Sequence, residues 1–277
     1  MLNSVMMYVA PFALTLVFAG GIRGLGGAER GVRAAGSAVV LSFLISWGFF
    51  LRPDWVPAND FSRIGHIALG AALVGLVLDL MAPRRFWAAA AAAIVLLIST
   101  WASVRGGLSL PAPLGVGWAA SVAALTAAAF LVIARLDAAR SHGAVALILL
   151  AAAALGLSLI AWVAGEPSLA STGLILVSSV LAYTVMQWAM AAAVGDSIIL
   201  GAGAALLALA WALAEAQPWV RPAMIFLPLI FFAVGTAKRV PLPAARISLV
   251  LYPLVLAGLA ALPLALAVVI AYVMAMA

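Results

Sequence analysis

Long apolar runs, each about the length of a membrane-crossing helix, follow one another along the chain and are separated by short polar stretches. A bilayer core about 30 Å thick is crossed by roughly 20 apolar residues in an α-helix. The pattern therefore predicts one polytopic domain, residues 1–277, folded as an all-α bundle of about ten transmembrane helices. The predicted spans are 4–22, 34–51, 64–82, 86–104, 113–134, 143–164, 169–194, 197–214, 220–237 and 247–275.

The last predicted span is ambiguous because it is 29 residues long and contains Pro253 and Pro263. Proline removes a backbone donor and bends or breaks a helix, so this run is either one tilted, kinked helix or two short ones. Both ten and eleven spans remain open on this ground. The longest connection, around 52–63, has only about a dozen residues, so no soluble domain is expected between spans.

Four of the apolar runs end in the same way, with a tryptophan that is followed by a proline within ten residues. Tryptophan prefers the headgroup region of a membrane, and proline marks the exit of a helix. Two interpretations stay open, namely a tandem repeat of five helical hairpins and an aromatic belt alone. The pairs are Trp47 and Pro53, Trp101 and Pro111, Trp162 and Pro167, and Trp211 and Pro218.

The Lys and Arg residues are distributed unevenly between the two sides of the predicted bundle. Loops on one side hold ten cations, whereas the opposite loops hold only Arg52, Arg63, Arg105 and Arg221. Because the cation-rich side is normally cytoplasmic, both termini are predicted to lie outside, in a bacterial inner membrane. The ten cations are Arg23, Arg30, Arg33, Arg84, Arg85, Arg135, Arg140, Lys238, Arg239 and Arg246.

Composition supports a membrane location, since 68% of the residues are hydrophobic and only 8% are charged. The mean hydropathy is +1.28, and soluble domains carry about 25% charged residues. The pI near 10.8 does not indicate a nucleic-acid partner, because the cations lie at span ends. Membrane lipids are the expected partners, and a protein partner or a homo-oligomer stays open. Cysteine is absent, which excludes disulfides, thiolate metal sites and a cysteine nucleophile.

No constellation of residues predicts a catalytic, cofactor-binding or metal site. His66 and His142 are the only histidines, and they are expected near opposite membrane surfaces. The sequence therefore favours a non-enzymatic function, and an enzymatic function stays open. For His66, either a bond to a carbonyl or water, or a role as ligand or proton site, fits the sequence.

Span 7 carries the most concentrated polarity inside any predicted span. Ser179, Tyr183 and Gln187 recur at i, i+4 and i+8, which places them on one face of a helix. An amide and a phenol in hydrocarbon need hydrogen-bond partners. This face is therefore expected either to bond neighbouring helices or to contact a solute.

The remaining candidate site residues are Asp79 and the prolines within the predicted spans. Asp79 lies within about one turn of the inner end of span 3, either as an interfacial carboxylate beside Arg84 and Arg85 or as a gating or proton-coupling group. Pro228 and Pro253 free backbone carbonyls within spans. Broken helices are where many transporters bind substrate, but proline is also tolerated in membrane helices for packing.

Two functions fit these features. The first is a channel or secondary transporter for a small neutral or anionic solute, with spans 7, 9 and 10 lining the path. It follows from the polar face and the intramembrane prolines. The second is a non-catalytic structural or assembly subunit of a larger membrane complex, which follows from the scarcity of charge within the spans.

Overall fold

A computed structural model of the chain describes residues 2–57, 59–81, 85–105, 116–139, 143–190, 194–237 and 247–277. These residues are almost entirely helical and contain no β-strand, which confirms the predicted all-α bundle. The helices are α1 (Leu2–Gly26), α2 (Val32–Ala34), α3 (Ser37–Leu51), α4 (Asp60–Met81), α5 (Arg85–Arg105), α6 (Val116–Ala139), α7 (Gly143–Val163), α8 (Pro167–Met190), α9 (Asp196–Ala216), α10 (Arg221–Met224), α11 (Ala233–Ala237) and α12 (Ile247–Met276).

Eight helical segments of the described chain are long and apolar enough to cross a membrane. Two shorter apolar stretches, Trp87–Ser103 and Thr126–Leu136, lie within α5 and α6, where the sequence predicts spans 4 and 5. The last span is a single helix, because α12 continues through both Pro253 and Pro263. The chain is therefore a multi-pass helical membrane protein.

Predicted span 9 is not a continuous α-helix. The segment Pro218–Ala237 crosses as a 3₁₀ turn, the short α10, a second 3₁₀ stretch at Leu227–Phe232, and α11. Pro222 and Pro228 each lack the backbone N–H that an α-helix needs, which explains the interruptions. We call Pro218–Ala237 the broken segment.

The predicted loop between the first two spans is mostly helical. Helix α1 continues through Gly26, and Gly27–Gly31 forms one π-helical turn before α2. A Cβ at Gly26 would lie 2.6 Å from Gly31 Cα, and Gly27 has a φ of +74°. Only glycine adopts this geometry without strain, so the Gly-rich stretch predicted to be a loop is a compact helical turn.

The core of the bundle is centred on α7, α8 and α9, which are the most buried spans of the described chain. The two most extensive helix pairs are α4 with α9 and α7 with α8. Neither pair is one of the predicted hairpins, and the predicted hairpin pairs α6–α7 and α8–α9 have only small contacts. The other predicted pairs, α1 with α3, α4 with α5, and the broken segment with α12, pack more extensively, so the hairpin interpretation stays open.

Small residues explain why α4 and α9 approach so closely. One face of α4 is formed by small residues and is buried, with Ala68, Ala71, Ala72 and Gly75 all shielded. A Cβ on Gly75 would lie 2.5 Å from Ser197 Cα of α9. Small side chains allow membrane helices to approach at backbone distance, and the crossing of α4 and α9 is of this kind.

Trp47, one turn before the end of α3, is buried between helices. Its side chain is 5% exposed and packs against Phe43 and Phe61. A Cβ on Gly65 would lie 2.3 Å from the Trp47 ring, so Gly65 makes room for the indole. Trp47 therefore joins α3 to α4 in the core, whereas Trp162 is 67% exposed, as an aromatic belt predicts.

Some residues used in the topology prediction lie outside the described residues, so their positions add nothing to it. Among the described helix ends, the end of α4 and the start of α9 lie together beside α2. The predicted residues outside the described chain are Arg84, Pro111, Arg140, His142, Lys238, Arg239 and Arg246.

Candidate functional site

The N-terminus of α9 is capped by a side chain from another helix. The capping position of α9 is Gly195, which has no side chain to accept from the first backbone N–H groups. Asp79 of α4 accepts from Asp196 N at 2.6 Å and from Ser197 N at 2.9 Å, one bond to each carboxylate oxygen. Asp79 thus supplies the acceptors that a Ser, Thr or Asp at the capping position normally provides.

Close packing fixes this arrangement. A Cβ on Gly195 would lie 2.4 Å from the Arg33 carbonyl oxygen and 2.6 Å from Asp79 Oδ2, so any side chain would displace the carboxylate. Asp79 is only 4% exposed. A buried carboxylate is costly unless it is hydrogen-bonded, and the positive end of a helix dipole favours a negative charge. The two hydrogen bonds and the helix dipole therefore offset the hydration that the Asp79 carboxylate loses on burial.

A second polar group lies beside this cap. Gln187 Nε2 donates to Tyr183 Oη at 2.7 Å, and both side chains are completely buried on α8. The Arg23 guanidinium, at the end of α1, interacts with the same hydroxyl, and Asp79 is near enough to act on it electrostatically. We call Arg23, Asp79, Tyr183, Gln187 and the first turn of α9 the α9 cluster.

The remaining hydroxyls of the predicted polar face are bonded to backbone carbonyls. Ser179 Oγ donates to Ile175 O at 3.1 Å, and Thr184 Oγ1 donates to Val180 O at 2.8 Å, both one turn earlier on α8. Ser178 Oγ donates to the Tyr8 carbonyl of α1. By contrast, no donor among the described residues reaches Gln187 Oε1, which is buried.

The structure therefore brings together three of the predicted site residues and leaves the others apart. Tyr183 and Gln187 are hydrogen-bonded to each other, Asp79 lies within electrostatic range of the Tyr183 hydroxyl, and Ser179 lies one turn away from Tyr183 on the same helix. His66 is on the predicted outer half of α4, where its Nδ1 is 2.9 Å from Ser62 O. This contact agrees with the bonded interpretation of that histidine.

The prolines lie elsewhere in the fold. Pro228 interrupts the broken segment and lines an apolar groove, whereas Pro253 is buried within the continuous helix α12. In the described chain, α8 has no extensive contact with α12 or the broken segment, and α7 packs against all three. The predicted path formed jointly by spans 7, 9 and 10 is therefore not supported.

Sequence reasoning missed two components of the cluster. The sequence places Arg23 in the loop after the first apolar run, whereas α1 continues to Gly26. Gly195, Asp196 and Ser197 are typical of a helix start. That pattern predicts the helix boundary but does not identify Asp79 as its partner.

The cluster consists of groups that carry charge or form hydrogen bonds. It contains one guanidinium, one phenol, one amide, the carboxylates of Asp79 and Asp196, the Ser197 hydroxyl and backbone N–H groups, and none of these residues is a histidine. Within the described residues, no group of three or more His, Asp or Glu side chains is arranged to hold a metal ion.

The pair formed by Tyr183 and Gln187 is expected to contribute modestly to stability. Gln187→Leu removes the amide donor, and measured hydrogen bonds within membrane proteins average about 0.6 kcal/mol, with a maximum of about 1.7 kcal/mol. A double-mutant cycle with Tyr183→Phe, measured by unfolding in mixed micelles, isolates this coupling. Strictly additive effects of the two substitutions would contradict the observed hydrogen bond.

No protein family model matches this chain, and no curated protein is similar to it.

Proposed function

We propose that this protein is a channel or secondary transporter for a small neutral or anionic solute, and that the α9 cluster is its binding site. The supporting observations are that Asp79 caps the buried start of α9, and that the buried Tyr183–Gln187 pair lies within electrostatic range of both Asp79 and Arg23. Ionisable side chains within membrane segments are costly, and they usually mark ion or solute pathways.

The groups of the cluster suit a solute that both accepts and donates hydrogen bonds. The Arg23 guanidinium and the Tyr183 hydroxyl supply donors on one side. Gln187 Oε1 supplies a carbonyl acceptor that no described donor reaches. A small carboxylate, amide or polyol has both kinds of group, which fits the neutral or anionic class.

Asp79 occupies the place at the helix N-terminus that a solute anion would favour. Backbone N–H groups and the helix dipole make such a terminus an anion site. In our proposal, an arriving anion displaces the Asp79 carboxylate and takes over its two N–H donors. The structure then corresponds to the state in which the protein's own carboxylate closes the site.

The orientation in this proposal follows the distribution of charge. The α9 cluster lies at the membrane side that carries Arg23, Arg30 and Arg33, which the positive-inside rule assigns to the cytoplasm. The proposal therefore places the protein in a bacterial inner membrane, with the closed site facing inward and both termini outside.

Flux through purified protein in liposomes tests the proposal. The probes are chloride, nitrate, acetate, glycerol and urea, followed by an entrapped fluorophore or by light scattering. We expect flux of at least one probe above that of protein-free vesicles, and we expect Arg23→Gln to reduce it by about tenfold or more, since loss of about 1.4 kcal/mol of binding has that effect.

The matched control is Arg30→Gln, because Arg30 is exposed near the same membrane side and lies outside the cluster. Its flux should equal that of the unmodified protein. Absence of flux for every probe, or an equal loss in both variants, would contradict the assignment of the α9 cluster as the site.

The alternative function, a structural or assembly subunit, is favoured by a different observation. Helices α1 and α12 are the least buried spans of the described chain. Their exposed faces could be covered by a partner protein as well as by lipid. Purification in mild detergent with a stable stoichiometric partner, combined with no flux in liposomes, would support this function instead.

A further inference from the structure

An apolar groove lies between α6, α7, α9 and the broken segment, away from the α9 cluster. Its volume is about 400 Å³, and its lining is almost wholly apolar. Along α9 the groove follows Gly203, Ala210 and Ala214, whose small size leaves the space open. A Cβ on Gly203 would meet no atom closer than Ile133 Cδ1 at 4.0 Å, so the floor of the groove there is empty.

The length of the groove matches one leaflet of a membrane. From Gly203 to Glu215, α9 rises about 18 Å at 1.5 Å per residue. Half of a hydrocarbon core is about 15 Å. The walls are formed by Val132 of α6, Leu157 of α7 and Phe231 of the broken segment. These dimensions suit a single acyl chain that enters from the surface at which α9 ends.

Two side chains of opposite charge, Arg221 and Glu215, lie at the open end of the groove. Arg221 Nη2 is 3.1 Å from Glu215 Oε1, and Arg221 Nε donates to the Ala214 carbonyl at 3.0 Å. Both side chains line the groove and are about half exposed, at 51% and 44%. Trp211 lies beside them, in keeping with the preference of tryptophan for the headgroup region.

We propose that this groove binds one acyl chain of a phosphatidylethanolamine-type lipid. The lipid phosphate contacts Arg221, and its ammonium group contacts Glu215. Complementary charges give specificity to an interface even where they add little to its stability. A purely anionic headgroup would be repelled by the Glu215 carboxylate. A choline headgroup has no N–H to donate to that carboxylate.

Native mass spectrometry of the full chain with added lipid tests the proposal. The probes are phosphatidylethanolamine, phosphatidylcholine and phosphatidylglycerol with identical acyl chains. We expect phosphatidylethanolamine to be retained about tenfold more tightly than the other two, which corresponds to about 1.4 kcal/mol. Equal retention of all three lipids, or tighter retention of phosphatidylglycerol, would overturn the proposal.

Two variants locate the binding. Gly203→Leu fills the inner end of the groove and should weaken the retention of all three lipids. Arg221→Gln removes the phosphate contact and should abolish the preference for phosphatidylethanolamine. Gly258→Leu is the matched control, because a Cβ there also meets no atom within 4 Å and α12 does not line the groove. If Gly203→Leu fails to fold, Arg221→Gln decides alone, and an unchanged preference in that variant would overturn the proposal.

Discussion

The Asp79→Ala variant is expected to lose about 2–6 kcal/mol of unfolding free energy, because two buried N–H groups lose their acceptors and each orphaned donor costs about 1–3 kcal/mol. Asp79 caps the start of α9 from another helix, and Gly195 provides no side-chain cap. Unfolding in mixed micelles, followed by circular dichroism, measures the change.

Two further variants separate the cap from a general effect of removing charge. Asp79→Asn keeps one oxygen acceptor, so we expect a smaller loss than for alanine. Asp60→Ala, on the same helix, breaks a partly exposed ion pair with Arg63, which is worth at most about 1 kcal/mol. If Asp79→Ala were no less stable than Asp60→Ala, the capping role of Asp79 would be wrong.

The Gly75→Ala variant is expected to separate α4 from α9 and to destabilise the protein by about 1–3 kcal/mol, the usual cost of overpacking. The added methyl group would lie 2.5 Å from Ser197 Cα and 2.6 Å from the Asp196 carbonyl oxygen. Both are backbone atoms, so no side-chain rotation relieves the contact. The displacement also moves the start of α9 away from Asp79. Thermal unfolding in detergent measures the loss.

Gly70→Ala provides the control on the same helix, because a Cβ at Gly70 meets no atom within 4 Å. Replacement of a helical glycine by alanine is otherwise favourable by up to about 1 kcal/mol. The two alanine variants should therefore change stability in opposite directions. A shift of the same sign and size in both would contradict the close crossing of α4 and α9.

The membrane bundle could be predicted from the sequence because hydropathy and helix length depend on local composition. The small face of α4 was equally visible, since Ala68, Ala72 and Gly75 recur at helical spacing. The partner of that face was not predictable, because α9 follows more than 100 residues later. The glycines near residue 27 suggest a loop, but glycine permits a tight helical turn as readily as a loop. The structure forms a π-helical turn there.

The candidate site was predicted in parts and not as a whole. The i, i+4 spacing of Tyr183 and Gln187 places them together, and their bond within α8 follows from it. The Asp79 hydrogen bonds join groups 117 and 118 residues apart, and no local pattern reports such a contact. Arg23 illustrates the same limit, since its role depends on which helix packs against the end of α1.

Accessibility of single cysteines to a charged, membrane-impermeant thiol reagent tests most directly whether the α9 cluster lies on a solute path. The chain has no native cysteine, so each introduced thiol is unique. Ser179→Cys and Gln187→Cys probe the cluster face of α8. Leu25→Cys, at a position 94% exposed at the end of α1, is the positive control. Val185→Cys, on the exposed apolar surface of α8, is the lipid-facing negative control.

We predict that the thiols at positions 179 and 187 react faster than the thiol at 185, and that the probe solute which gives flux in liposomes slows them. The reagent must then reach the cluster through the same opening as the solute. If both positions react as slowly as position 185 while position 25 reacts readily, the α9 cluster is a closed packing site and the proposed solute path through it is wrong.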